Sequence, residues 1–403
     1  MASKLNIFAI YKKCPDIRFV TKTTSFSGRV IMAKDQKRLI ALDWMRGLVM
    51  VLMALDHASM IYNSGRLALD SAAAYAPGTP LPWAQFLTRW VTHLCAPTFV
   101  FLAGAALALS CHHRSASGYS ERSIDRDIVI RGLIIISYDL VLTPFLTMHR
   151  PVLQVMFAIG ISMIAMAWLR RLNAIILLSA AVLWFLVGEA VTTFWWDPAS
   201  GNPPIWAAFT IAVFRSNALT ILYPAIPWLS VMMLGWVFGR YLVSAQIESG
   251  HSPIRFLSGS GAVLLAVFFI VRAWNSYGNM LLLREDNTWI QWLHVSKYPP
   301  SLSFITLELG LMCLFLAAFM ALEKRVKPRQ KNPFLVFGQT ALFFYFIHIP
   351  VLAVPAIVLD LFRAGSLAWA YGAAVIGLGV LYPICRKYLD YKFAYPRSLV
   401  RYV

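Results

Sequence analysis

Charge is scarce in this chain. Of its 403 residues only 13% are charged, 59% are hydrophobic, and the mean hydropathy is +0.65. Soluble domains carry about a quarter charged residues, so the apolar excess cannot be hidden in one water-soluble core. Acidic residues are scarcer still, 18 Asp and Glu against 36 Lys and Arg, for a net charge of +18. The basic residues fall at the ends of apolar runs, where positive-inside bias and lipid headgroups account for them. Nucleic acid is therefore excluded as a partner. The five cysteines (Cys14, Cys95, Cys111, Cys313, Cys385) form no CxxC spacing. Four lie in or beside apolar runs as small hydrophobes, and no disulfide is expected. There is no HExxH pair, which argues against a metal site despite histidines at 57, 93 and 348. No GxGxxG or Walker loop is present, which argues against a nucleotide-hydrolysing engine. Repeats and low-complexity runs are also missing. Residues 1–37 are basic and polar with no apolar core of a signal peptide, and Met32 would serve as a natural start.

What the chain has is apolar runs long enough to cross a hydrocarbon core of roughly 30 Å. Ten are expected, near 40–61, 84–111, 128–148, 152–169, 174–193, 220–242, 256–274, 302–322, 334–361 and 367–386. The ninth contains Pro350 and Pro355 and is expected to kink or break there. The fold class is all-α: a polytopic membrane helix bundle of about ten transmembrane helices. A basic tail (1–37) precedes a membrane domain (38–390), and a short tail (391–403) follows. With the N-terminus inside, the clusters before span one, at Arg114–Arg126, at Arg170 and Arg171, at Arg240 and Arg255, at Lys324–Lys331 and in the C-terminal tail all fall on the cytoplasmic side. Both termini are thus expected inside. The longer connections at 62–83, 194–219 and 275–301 then face outward, carrying Trp, Pro, Asn and Gly. They suit either a binding mouth or an interfacial aromatic belt.

Ionisable side chains inside a span are costly and point to function. His57 follows Asp43 by fourteen residues, close to four helical turns and about 21 Å. Asp43, Arg46 and His57 therefore share one stripe of the first span. Asp56 points about 100° away from His57. Arg89, His93, Asp139, Glu189, Glu308 and His348 fall in the outer halves of five further spans, whereas the cytoplasmic half holds mainly Asp43, Arg46 and Arg131. Structural readings stand beside these. Each histidine could be a buried hydrogen-bonded one, Asp139 could pair with Arg89, and Glu189 and Glu308 could reach the outer surface.

The order Arg38, Leu42, Asp43, Arg46, Gly47, Asp56, His57 is a recognisable pattern. With it go HLCAPTFVFLAGAAL (His93, Pro97, Phe101, Gly104), SKYPPSL (Lys297 to Leu302) and NPFLVFGQTALFFYFIHIP (Asn332 to Pro350). Together these resemble the catalytic domain of the heparan-alpha-glucosaminide N-acetyltransferase family, part of the transmembrane acyltransferase superfamily, over residues 38 to about 390. The resemblance implies acetyl transfer from cytoplasmic acetyl-CoA to a sugar on the far side of the membrane. The Asp43-to-His57 spacing is also similar to that of related O-acyltransferases of bacterial glycans, which implies that His57 is the catalytic histidine. His348 matches a histidine of the ninth-span motif. The chain departs from the lysosomal enzyme in having a histidine at position 57 and none in the 62–83 loop, and it carries no Asn-x-Ser/Thr sequon. A bacterial inner membrane is the expected location.

Acyl transfer from a thioester needs a base for the acceptor proton and donors for the developing oxyanion. His57 is the expected base, with Asp139 or Asp56 as the carboxylate behind it. Arg89, His93, Lys297 and His348 are candidates to polarise the carbonyl or hold the acceptor. A histidine could instead be acylated directly. Arg46, Arg131 and the cytoplasmic basic loops are the candidates to hold the CoA phosphates, with Asp43 beside Arg46 in the donor site, acetyl-CoA or another acyl-CoA as donor and no metal. The expected partners are the lipid bilayer and a sugar or glycan acceptor, with a homodimer left open. A secondary transporter of a small polar solute is the competing reading.

Overall fold

The computed structural model describes residues 39–142, 144, 151–198, 201–247, 252–326 and 331–395. The expected 1–37 tail, most of the end of the third span, Lys327–Arg329 of the basic cluster and residues beyond 395 lie outside the described residues. Of the described residues 74% are helical, so the all-α class holds. Among the described residues eight helices are long and apolar enough to cross a membrane. The protein is an integral, multi-pass membrane protein.

The first half of the chain holds α1 (Ile40–Tyr62), α2 (Trp83–Val91), a 3₁₀ turn (Thr92–Leu94), α3 (Cys95–Ala116), α4 (Glu121–Ser137) continued by a π turn (Tyr138–Leu142), α5 (Val155–Leu169) and α6 (Ala174–Trp195). Next come α7 (Ile205–Thr210), α8 (Ala225–Ile247), α9 (Pro253–Trp274) and α10 (Trp289–Leu293). The chain ends with α11 (Leu302–Arg325), α12 (Pro333–Gln339), α13 (Ala341–Val358) and α14 (Leu367–Ala394). Three two-residue strands, β1 (Val152–Leu153), β2 (Phe214–Arg215) and β3 (Thr220–Ile221), form a small sheet in the order β1-β3-β2. Val152 pairs in parallel with Thr220, and Arg215 pairs with Thr220 in antiparallel fashion. The sixth span therefore starts at Ala225 and not at 220, because residues 220–221 are taken up by a ladder.

The ninth span also differs from expectation. The interruption falls at Thr340, between α12 and α13, and α13 runs on through Pro350 and Pro355. The local sequence explains the break. Asn332 accepts the Phe334 N–H through its side chain and Pro333 occupies the first turn, a strong start signal. The helix so begun ends after two turns.

α1 is the central element, in contact with α3, α11, α12, α13 and α14. Its N-terminus has no side-chain cap of its own. Instead Glu323 of α11 accepts the N–H groups of Ile40 (3.2 Å) and Ala41 (3.0 Å), placing a carboxylate at the positive helix end. Backbones meet closely where glycines stand. A Cβ on Gly47 would strike the Phe334 carbonyl of α12, and one on Gly338 would strike the Asp43 carbonyl of α1. Small residues allow this approach between helices in lipid. Apolar side chains on α6, α9 and α14, such as Leu183, Phe269 and Val375, face outward, where hydrocarbon is their natural solvent.

Two loops close one end of the bundle, residues 63–82 and 275–301. Arg272 of α9 is fully buried and organises the second. Its guanidinium donates to the carbonyls of Leu282 (3.1 Å), Gln291, Trp292 (3.1 Å) and His294 (3.1 Å) and to Asn279 Oδ1 (2.8 Å). The loops are then bonded to each other. Lys297 N–H donates to the Asp70 carbonyl at 2.9 Å, His294 Nε2 to the Leu69 carbonyl at 2.9 Å, and Gln291 Nε2 to Tyr75 Oη at 3.2 Å. A carbonyl only accepts, so Nε2 of His294 carries the proton, and burial lowers the basicity of the ring.

Candidate active site

Beneath those loops α1 brings His57 against His348 of α13. Nδ1 of His57 lies 2.5 Å from Nε2 of His348, and the rings stack with centroids 4.8 Å apart. On its other side His348 Nδ1 is 2.7 Å from the Tyr345 carbonyl and 3.2 Å from that of Phe344. A carbonyl only accepts, so His348 Nδ1 carries the proton and its Nε2 is the acceptor. His57 Nδ1 must then be the donor, which leaves His57 Nε2 with the free lone pair. No hydrogen bond reaches that nitrogen among the described residues. His348 is fully buried while His57 is only partly so. His57 is thereby held in one tautomer by a second imidazole.

The expected carboxylates behind His57 are engaged elsewhere. Asp139, in the π turn after α4, accepts the N–H groups of Gln154 (2.7 Å) and Phe157 (2.9 Å). It caps the start of α5 and does not pair with Arg89. Asp56 turns away from His57, as the helical spacing requires, and accepts from Arg66 (2.9 Å), Arg89 (2.8 Å) and Thr92 (3.1 Å).

Arg89 of α2 is the hub of a buried ion-pair network. Besides Asp56 it binds Asp70 through Nε (2.7 Å) and Nη2 (2.5 Å) and approaches Tyr298 Oη at 3.4 Å. His93, one turn further, stands with Nε2 3.4 Å from Asp70 Oδ2. Asp70 lies in the 63–82 loop. Burial by itself would raise its pKa, but Arg89, His93 and Lys297 together hold the carboxyl well below the usual carboxylate range. Sequence reasoning missed Asp70 because nothing in a loop's pattern marks one Asp as buried.

Lys297 is 4% exposed, with its ammonium 5.4 Å from the Tyr298 ring centroid. It lies within electrostatic reach of Asp56, His57, Asp70, His93 and Glu308. No hydrogen bond to its Nζ occurs among the described residues. Glu308 does not reach the surface: it is 1% exposed, with Oε1 lacking a hydrogen-bond partner. Nδ1 of His93 is likewise without one. Glu189 is also buried and accepts from Gly278 (2.6 Å) and Met280 (2.9 Å), bracing the 275–301 loop. Buried polar groups are rarely left unsatisfied, so the orphaned donors and acceptors around Lys297 fit a polar ligand.

At the other end of α1, Arg46 Nη1 is 3.2 Å from Asp43 Oδ1, and Nη2 is 3.4 Å from the Leu102 carbonyl. Arg131 of α4 lies within electrostatic reach of Arg46 and of Tyr388 on α14 and has no ion pair among the described residues. No cluster of three metal-ligating side chains occurs among the described residues.

The sequence itself decides the family. A profile described as heparan-alpha-glucosaminide N-acetyltransferase, catalytic, matches residues 38–273, more than half of the chain. The chain belongs to that family. No curated protein matches it. The family's matched region contains Asp43, Arg46, Asp56, His57, Asp70, Arg89, His93 and Arg131, whereas Lys297, Glu308 and His348 fall beyond its end. Membership makes this chain a membrane protein of an acetyltransferase family.

Proposed function

We propose that this protein moves an acetyl group from cytoplasmic acetyl-CoA to a sugar or glycan at the opposite face of a bacterial inner membrane. The observation that carries the proposal is the His57–His348 pair, with His57 Nε2 left as the free base beside the Lys297 and Arg89 network. In the proposed step the acceptor oxygen or nitrogen attacks the thioester carbonyl while His57 Nε2 takes its proton. The new C–O or C–N bond forms, the C–S bond breaks, and the departing sulfur receives the proton from His57. His348 Nε2 accepts the Nδ1–H of the imidazolium that forms transiently, the role a carboxylate has in a serine-hydrolase triad. Lys297 and His93 are assigned to favour the developing oxyanion.

The donor's phosphates are assigned to the Arg46 and Arg131 end. Two guanidiniums near one another in the membrane region suit an anionic group. The fourteen residues from Asp43 to His57 span about 21 Å, comparable to an extended pantetheine arm. CoA thus stays on its own side while its acetyl group reaches His57. This orientation places the 63–82 and 275–301 loops outside, in keeping with the positive-inside pattern.

The test is acetyl-CoA binding to purified protein in nanodiscs, for wild type and His57→Ala, followed by CoA release with candidate sugars. Binding by both with release only by wild type is the expected result. Absence of binding by folded wild type would end this reading and favour a secondary transporter.

A further inference from the structure

Beside the ends of α1 and α13 that follow His57 and His348 lies a groove with no role in the chemistry above. It is about 900 Å³ in volume and runs between α13 and α14. Its walls include Tyr62 of α1, Leu352 and Pro355 of α13, and Trp369, Gly372 and Ile376 of α14. The helices that supply its inner wall are those that carry His57 and His348. Tyr62 is five residues beyond His57, and its hydroxyl donates to the Leu352 carbonyl at 2.8 Å, four residues beyond His348.

The length of the groove suits a lipid tail better than a partner helix. Along α14 it extends from Ala368 to Val380, twelve positions or about 18 Å at 1.5 Å per residue. That is close to one leaflet of a core roughly 30 Å thick. Below it the two helices close, with Phe343 stacked on Tyr388 at 3.8 Å between centroids. A partner helix would need a face through both leaflets, whereas a lipid tail needs only one. Gly372 leaves open space at its centre, since a Cβ there would meet nothing within 4 Å, and Ile376 is 70% exposed. At the mouth the 359–366 loop is pinned to the end of α1 by Arg363 N–H to the Ile61 carbonyl (2.7 Å) and Gly365 N–H to the Tyr62 carbonyl (2.9 Å). The Arg363 side chain is exposed and has no ion pair among the described residues. An exposed cationic residue in the loop at the mouth of an apolar slot matches a phosphate-bearing headgroup above a hydrocarbon tail.

We infer that the groove holds the hydrocarbon tail of a phosphate-linked lipid that carries the acceptor sugar, so that the acceptor reaches His57 from the membrane and not from solution. This rests on the acetyltransferase reading for the word acceptor, but the tail's binding can be read without any transfer. The probe is a polyprenyl-phosphate-linked sugar with a photoreactive diazirine in its tail, in nanodiscs of phosphatidylethanolamine and phosphatidylglycerol. Cross-linked peptides would be mapped for wild type, Gly372→Trp and Ile376→Trp. Gly372→Trp fills the slot, and Ile376→Trp narrows it from an exposed position that folding does not depend on.

The expected result is labelling of the 350–380 segment that unlabelled polyprenyl-phosphate sugar suppresses and excess phosphatidylglycerol does not. Labelling should fall about tenfold or more in both variants, a loss of at least ~1.4 kcal/mol in binding, with acetyl-CoA affinity unchanged. Equal suppression by phosphatidylglycerol would show ordinary bilayer lipid and overturn the inference. So would labelling elsewhere, or a dimer that the Trp variants dissociate. Loss of acetyl transfer with the labelling intact would instead count against the acetyltransferase reading.

Discussion

Nδ1 of His57 lies 2.5 Å from Nε2 of His348, and the proton on that bond belongs to His57 because His348 spends its own on the Tyr345 carbonyl. A backbone carbonyl thus sets the tautomer of one imidazole, which sets that of the next. The free lone pair ends on the ring that is only partly buried.

Replacing His348 by Ala should therefore lower the rate of acetyl transfer by about 10²–10⁴-fold, the range of a general-base effect, with acetyl-CoA affinity unchanged. His348→Ala and His57→Ala should not be additive, because both remove one unit. Steady-state CoA release for the two single variants and the double variant checks this. Additive losses would separate the two residues.

Asp70 gives a pH dependence. Its carboxyl is held well below the usual range by Arg89, His93 and Lys297 against the effect of burial. A depressed folded value means that the contribution is complete above the unfolded pKa of about 3.9 and is lost as pH falls through the folded one. Asp70→Asn should cost on the order of 3 kcal/mol, since it leaves part of the Arg89 charge uncompensated in a buried site. The gap between wild type and variant should be constant from about pH 8 to pH 5 and shrink only below about pH 4. Thermal melting in detergent across that range measures it. A gap that closes near neutrality would assign the effect to another group.

Gly47→Ala and Gly338→Ala should each destabilise the bundle by more than about 1–3 kcal/mol, the usual overpacking range. The atoms a Cβ would strike are backbone carbonyls of Phe334 and Asp43, which have no rotamer to move into. Gly372→Ala, with open space around it, should be neutral in the same melting experiment. Similar losses at all three sites would point to helix flexibility and not to close packing.

Arg46→Ala and Arg131→Ala should weaken acetyl-CoA binding about tenfold each or more, since a hydrogen bond to a charged group contributes roughly 1.5–3 kcal/mol. They should have little effect on binding of a CoA fragment that lacks the phosphates. Isothermal titration with the intact donor and with acetyl-pantetheine distinguishes the two. Unchanged affinity for acetyl-CoA would take the donor site elsewhere.

Much of the fold was legible because lipid imposes a simple pattern. Long apolar runs separated by basic clusters mark helices, and fourteen residues along one helix put Asp43, Arg46 and His57 on a stripe whatever surrounds them. The Asn332–Pro333 start of α12 was there to be read as a cap, yet the break was assigned to Pro350 and Pro355, through which α13 continues. Surrounding packing can satisfy the groups a proline frees in a membrane helix.

The partners of the buried charges were not legible. Counting residues along a span gives depth but not the direction in which neighbouring helices stand. Arg89 and Asp139 share a depth, yet Arg89 turns to Asp56 and Asp70, and Asp139 caps α5. Local sequence alone marked the apolar helices and put His57 on its stripe, because both depend on near neighbours in the chain. That His57 meets His348 across 291 residues, and that a loop aspartate completes the Arg89 network, was settled only when α1, α2 and α13 packed together, since lateral arrangement is a property of many contacts and of no single segment.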